Sequence, residues 1–383
     1  MTKVLKNIGG YFKRTNLPLW IVCIITSCYG AALVYSSTRT NGTSQFKTQV
    51  IAIAIGYVGA IIISLVDYKS IAKLWPLIAA LCIGLMVITS VFGITVAGTD
   101  DKAWIRVGGI SFQPSELVKI GFIVTLAKHL DVLREKDKLK SFWQIMLLFC
   151  HAAIPMGVIH LQGDDGAVLV FLFIFLAMCF GAGIQLRYFA AFFGAVAVAA
   201  PLAWKYVLNN DQKTRFKILL DHSADPQGYG YQQGQGEISI GSGMFSGRGF
   251  LQGPRATAGI VPEDHNDFIY TVAGEEFGFI GCIAIMVLLA SILALTLYVA
   301  ARARDPLGKY ICYGFFGMIA LQAVENIGMC LYVLPVVGIT LPFFSAGGSS
   351  AACLYFGVGL VQCVYANRNN KITVGMLAES DLY

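Results

Sequence analysis

Four short stretches of this sequence carry ionisable side chains where an otherwise apolar chain should not tolerate them. In WIRVGGISFQPSELVK (Trp104 to Lys119), Pro114 pre-sets a helix start, with Ser115 and Glu116 in its first turn. Glu116 and Lys119 are three apart and share a helix face. They can anchor the helix as a mutual salt bridge, or Arg106 or Lys119 can face a phosphate. In LQGDDGA (Leu161 to Ala167), Asp164 and Asp165 can bind a cation or cap the next helix, and capping is the better reading. In VPEDHNDFIYTVAGEEFGFIG (Val261 to Gly281), Pro262 suits a first helical position, with Glu263 and Asp264 favoured by the helix dipole. If that helix runs on unbroken, Asp267 sits about 18 Å beyond the apolar run that starts near Phe279, at headgroup level. Glu263 then lies one turn away on the same side. Glu276, nine residues on, faces nearly the opposite way and is no acid/base partner. The plain structural alternative is a capping or ion-paired Asp267. In ENIGMCLYVLPVVGITLPFFSAGGSS (Glu325 to Ser350), Glu325 and Asn326 sit inside an apolar run, and Glu325 reads as a hydrogen-bonded packing residue. The prolines and glycines that follow imply broken backbone, which membranes tolerate only where it is buried or lines a cavity.

What must position these groups is a bundle of membrane helices. Of the 383 residues, 56% are hydrophobic and only 13% charged, and mean hydropathy is +0.68. Soluble domains carry about 25% charge, so a secreted disulfide scaffold, a disordered chain and an ordinary cytosolic enzyme are excluded. The 28 Lys and Arg exceed the 22 Asp and Glu. They lie between apolar runs, as topology signals rather than a nucleic-acid patch. All ten cysteines fall inside apolar stretches with no CxxC or Cys/His cluster and read as small packing residues.

The expected fold is an all-α membrane protein of ten transmembrane helices, one domain over residues 1–383, with a large extracytoplasmic loop (209–266) between helices 7 and 8. The spans run approximately Leu19–Val34, Val50–Val66, Leu74–Ala97, Leu117–Ala127, Ile145–Leu161, Ala167–Ala182, Tyr188–Leu208, Phe279–Val299, Tyr310–Val333 and Ser350–Ala366. Lys3, Lys6, Lys13 and Arg14 precede the first, and no cleavable signal is evident. Lys128, Arg134, Lys136, Lys138 and Lys140 follow the fourth. Arg302, Arg304 and Lys309 follow the eighth, and Arg368 and Lys371 the last. With ten spans all these lie on one side, so both termini are expected in the cytoplasm. The long loop is rich in Gly and Gln and carries Arg215, Lys217, Arg248 and Arg255. It reads as a partly ordered cap on the outer face.

The four motifs, in this order, resemble the SEDS family (shape, elongation, division and sporulation proteins). WIRVGGISFQPSELVK is similar to its tryptophan-then-QPSE-then-Lys motif. PEDHNDFIYTVAGEEFGFIG is similar to its PE-x-H-T-D-F motif with the GEE-x-G-x-x-G that follows, and NIGMCLYVLPVVGITLPFFSAGGSS to its last outer motif. GRGFLQG is closer to the RodA branch than to the FtsW branch. Asn266 stands where the family usually has Thr, Gly163 and Asp165 where many members have Pro and Leu, and Ala346 in place of a frequent Tyr.

The resemblance implies a peptidoglycan glycosyltransferase in the bacterial cytoplasmic membrane that polymerises lipid II on its outer face. The essential aspartate carries over to Asp267. A sugar hydroxyl is a poor nucleophile, and a carboxylate within hydrogen-bond reach helps by taking its proton. The departing pyrophosphate needs cations, for which Lys119, Arg106, Arg215 and Arg248 are candidates. Glu116, Glu263, His265 and Ser349 lie in or beside the matching motifs and are assigned to substrate binding. A divalent cation (Mg or Mn) held mostly by pyrophosphate would need few protein ligands. No penicillin-binding domain is visible, so cross-linking implies a class B penicillin-binding protein as partner. The competing readings are a lipid II flippase and a non-catalytic scaffold. A flippase predicts inner-half charges along a polar path, whereas the candidates here cluster outside.

Overall fold

The computed structural model describes residues 11, 14–40, 42–95, 101–107, 110–222 and 225–369. Lys3, Lys6, Lys13 and Lys371 of the basic flanks lie outside them. The first helix, α1 (Leu17–Thr38), starts where the Asn16 side chain accepts the Leu19 N–H and Pro18 fills the first turn. There follow α2 (Ser44–Leu65), a six-residue α3 (Tyr68–Lys73) capped by Asp67, and α4 (Trp75–Phe92). A short antiparallel hairpin, β1 (Ile105–Val107) with β2 (Ile110–Phe112), leads into α5 (Pro114–Glu135). Next come α6 (Phe142–Leu161), α7 (Asp165–Gly181) and α8 (Leu186–Tyr206). The long connection carries α9 (Asn210–Ile218), α10 (Tyr229–Ser242) and α11 (Pro254–Thr257). The chain closes with α12 (Ile269–Arg302), α13 (Pro306–Cys330) and α14 (Gly348–Ala366).

Among the described residues eight helices are long and apolar enough to cross a membrane: α1, α2, α4, α6, α8, α12, α13 and α14. The apolar α7 is shorter, and α5 is long but carries charge along its length. Of these eight, α13 and α14 are the most enclosed. The first packs against α5, α7 and α12, the second along α2. Large aliphatic side chains such as Ile51, Ile55, Ile62, Leu77 and Leu81 point outward, as lipid-facing residues do. No residue of α8 is buried.

Three expectations need correction. The fold is not purely helical: the alternation from Trp104 to Phe112 about Gly108–Gly109 is a hairpin signal that the helical reading passed over. Residues 262–268 form turns rather than the first turns of a helix. Glu263 adopts a left-handed φ of 55°, which a helix cannot continue. And α12 is not straight, because Gly278 breaks it at φ 64°, ψ −156°, a conformation that favours glycine. The loop 243–249 sits in that break: Arg248 N–H donates to Glu275 O and Phe279 N–H to Met244 O.

Candidate active site

Asp267 sits two residues ahead of α12, on a turn held almost wholly through its backbone. The Asn326 side chain on α13 donates to Asp267 O at 2.7 Å and to Ile339 O at 2.8 Å. Ser345 Oγ donates to Asn266 O at 2.7 Å, and Ala346 N–H to His265 O at 2.8 Å. Phe268, fully buried, pins the next residue. The three segments 262–268, 325–330 and 338–346 are thus tied into one unit. Asp267 is half-buried, with no hydrogen bond to its side chain among the described residues. It lies over Gly338, where an added Cβ would stand 3.5 Å from Oδ2 and where φ is +80°.

Acidic neighbours crowd this turn. Glu263 accepts from the Asn266 amide at 2.7 Å, so the residue found where Thr was expected fastens the turn instead. His265 faces Asp264 at 3.5 Å and the Gln45 side-chain nitrogen at 2.8 Å. Burial, reinforced by the negative charge of Glu263, pushes the Asp267 carboxyl up to about 7; His265 opposes the shift and Asp164 adds to it. Burial alone would lower the His265 pKa, but the carboxylates of Asp264, Glu263 and Asp267 outweigh it and raise it. Asp267 therefore combines proton affinity near neutrality with an unoccupied carboxylate, the two properties a general base requires.

A second group forms where β2, α5, α7 and α14 meet. Lys119, 2% exposed, pairs with Glu116 at 2.8 Å. Asp164 caps α7 by accepting the Ala167 N–H at 2.9 Å and also accepts from the Gln113 side chain at 2.7 Å. The charge of Lys119 acts on it, and its own charge acts on Asp267. Ser349 Oγ accepts the Gln113 N–H at 3.1 Å and so fastens α14 to the start of α5. Asp165 is occupied by His160 (2.6 Å) and by Gln212 on α9 (2.5 Å).

Arg215 lies half-buried beside the same region. It donates to Val336 O at 2.9 Å and to Tyr229 OH at 2.7 Å, and stacks on the Tyr229 ring. Its Nε–H, enclosed, has no partner among the described residues. Arg106 on β1 and Arg248 beside the α12 break are exposed, and no hydrogen bond or ion pair joins either to Asp267.

Glu325 departs from expectation. It is buried, 3% exposed, yet neither carboxyl oxygen has a hydrogen-bond partner among the described residues. The hydrogen-bonded packing role fails because no donor reaches the Glu325 carboxyl among the described residues, which leaves it to the charges of Asp267 and Arg215. Glu275 and Glu276 are structural. Glu275 accepts the N–H groups of Arg255 and Ala256, each at 2.9 Å, and so caps α11. Glu276 accepts from Ser36.

Asn326, Ser345, Gln45 and Gly338 carry the geometry of the turn without having been singled out as site residues. The sequence carries a signal for Asn326, as an amide in an apolar helix, and for Gly338, as part of the broken backbone after it, but none for Gln45 or Ser345. Asn326→Ala should cost about 1–3 kcal/mol through two carbonyls left without a donor. Gly338→Ala, strained at positive φ, should cost about 1–2 kcal/mol and put a methyl group in van der Waals contact with the Asp267 carboxylate. Thermal melts alongside activity assays check both, and the loss of activity should exceed the loss of folded protein.

The model of the cell cycle protein family that comprises FtsW, RodA and SpoVE matches residues 15–370. The chain belongs to this family. Two FtsW/RodA/SpoVE relatives show how far the likeness extends. The probable peptidoglycan glycosyltransferase FtsW of Geobacter metallireducens is 32% identical over 359 residues, covering 91% of this chain and 94% of the relative. The peptidoglycan glycosyltransferase MrdB of Escherichia coli K12 is 29% identical over 351 residues, covering 92% and 94%. Among solved structures, a chain from work on the structural coordination of polymerization and crosslinking by a peptidoglycan synthase complex superposes with a TM-score of 0.79. It is 27% identical and covers 93% of this chain and 99% of its own. The crystal structure of the rod shape determining protein RodA of Thermus thermophilus gives 0.69 at 24% identity, covering 93% and 98%, a likeness of fold.

Proposed function

We propose that this chain is a peptidoglycan glycosyltransferase that polymerises lipid II into glycan strands, with Asp267 as general base. The observation that carries the reading is the Asp267 carboxylate, held by its backbone on three segments, near neutrality in proton affinity and free of hydrogen bonds from the described residues. Family membership and the relatives' names supply the reaction class.

In this mechanism the 4-hydroxyl of the acceptor GlcNAc attacks the anomeric carbon of the donor MurNAc, and Asp267 takes the hydroxyl proton. The bond from the anomeric carbon to the pyrophosphate oxygen breaks, and undecaprenyl pyrophosphate leaves with the electron pair. An α-linked donor becomes a β-linked product by inversion, so one displacement suffices. Lys119 spends one N–H on Glu116 and keeps two for phosphate oxygens. The unpartnered Nε–H of Arg215 gives a second cationic donor. Glu116, Glu263, His265 and Ser349 act by holding these groups and their turns in place. Arg106 and Arg248, being exposed, are left the outer reaches of the substrate. Among the described residues no group of three or more His, Cys, Asp or Glu could hold a metal ion. A Mg or Mn ion held mostly by the pyrophosphate would neutralise its charge and need few protein ligands.

For the topology we favour ten crossings, the eight apolar helices plus α5 and α7. The termini and the basic loops then lie in the cytoplasm, and the 209–266 loop and Asp267 outside. An apolar cavity of about 240 Å³, lined by Ile63, Ile78, Leu81, Leu117, Ile120 and Val124, suits the polyprenyl chain. Ile120 also lines the cavity that holds Glu116, so the groove leads toward the polar site. A class B penicillin-binding protein is the expected cross-linking partner. Purified protein mixed with lipid II in detergent tests the reading: glycan polymer is the expected product, and a flippase or scaffold would give none.

A further inference from the structure

At the other end of the bundle from Asp267, α3, α5 and the start of α13 enclose a cavity of about 430 Å³ that the glycosyltransferase reading does not use. Lys119 and Arg134, at the two ends of α5, are about 22 Å apart along the axis. Four cations line this cavity: Lys69, Lys73, Lys128 and Arg134. Two of them are spoken for. Lys69 pairs with Asp305 at 2.8 Å, and Lys128 with Asp131 at 2.9 Å. Asp305 is further satisfied by Tyr68 OH and by the Gly308 N–H. Lys73 has no ion pair among the described residues, and Arg134 reaches only Tyr310 OH, at a long 3.4 Å. Glu135, exposed, is the one lining acid without a salt bridge among the described residues.

The first turn of α13, Pro306 and Leu307 in the cavity wall, is already capped by Asp305, which leaves, among the described residues, Lys73 and Arg134 as the cations free for a ligand. The cavity's neighbour is apolar: Val124 of the lipid-chain groove lies one helical turn from Lys128 on the same face of α5, and Ile71 of that groove adjoins Ala72 of the cavity on α3. A cavity with two cations free of salt bridges among the described residues and an apolar groove beside it fits an amphiphile with a phosphate head.

We propose that this cavity binds the phosphate head group of an anionic phospholipid of the inner leaflet, with its chains leaving past Ile71 into the bilayer. The leaflet rests on the orientation given above; the chemistry of the cavity does not. Lys73 and Arg134 hold the phosphate, and Lys69 and Lys128 shape the walls through their own ion pairs.

The test uses the purified full chain in neutral detergent, melted with phosphatidylglycerol, with phosphatidylcholine, or with inorganic phosphate. Phosphatidylglycerol should raise Tm by about 5 °C, and phosphatidylcholine should not. The exposed double variant Lys73→Gln/Arg134→Gln should lose that rise and keep its glycan polymerisation in lipid-free detergent. The proposal is overturned if phosphatidylglycerol gives no rise, if phosphatidylcholine matches it, or if the double variant keeps it. Inorganic phosphate reproducing the whole rise would also overturn it, since the cavity would then be a free-anion site. A wild type that makes no polymer would count against the glycosyltransferase reading and leave the melting readout intact.

Discussion

Asp267→Ala should lower lipid II polymerisation by about 100- to 10,000-fold, the range a general base supplies, with little loss of folded protein. The turn is held by Asn326, Ser345 and the Ala346 N–H acting on backbone atoms, so the carboxylate is not needed to build it. Its effect on stability should even be opposite in sign to its effect on rate. The folded-state pKa, about 7, lies above the ordinary 3.8. The protonated form is therefore favoured by folding, and that contribution is present below the ordinary value and lost as pH rises through 7. Asp267→Asn, similar in shape but unable to take a proton, should raise Tm at about pH 8 and leave it nearly unchanged at about pH 4. Purified variants assayed for polymer and for melting at both pH values decide this. A lower Tm at high pH would show that the ionised carboxylate is structural.

Lys119→Ala should cost about 100- to 1,000-fold in polymerisation, by analogy with losing one donor to a developing negative charge. It should also cost about 3 kcal/mol of stability, because Glu116 is left enclosed without its cation. The two losses separate in the double variant Lys119→Met/Glu116→Leu, which removes both charges and replaces them with apolar groups. Stability should return, since well-packed apolar residues often replace a buried ion pair without penalty. Activity should stay low. Recovery of both would make the pair a simple anchor for α5 and remove Lys119 from leaving-group stabilisation.

The sequence displayed the bundle because apolar length and charge spacing are local properties. The start of α5 at Pro114, the cap at Asp164 and the broken backbone after α13 could all be read from residue type and spacing. The turn that presents Asp267 could not. Its shape depends on Glu263 taking a left-handed conformation and on Asn326, distant in sequence, claiming the Asp267 carbonyl. Pro262 followed by Glu263 and Asp264 reads as a helix start because nothing local forbids it. Glu325 misleads in the same way: a buried carboxyl suggests a hydrogen-bond donor beside it, and among the described residues none reaches it. The clamp made by Glu275 and Glu276 on the 251–257 segment, and the break at Gly278, are likewise contacts between stretches that only the folded chain brings together.

The most direct test is the rate of glycan polymer formation from lipid II by the purified chain and by Asp267→Asn, followed from about pH 5 to about pH 9. A base that must be ionised predicts a wild-type rate that climbs about tenfold per pH unit at the acid end and levels off above about 7. The variant should be slow and should lack that climb. A wild-type rate that is flat through neutrality, or a variant that keeps the same profile, would contradict Asp267 as the group that activates the sugar hydroxyl.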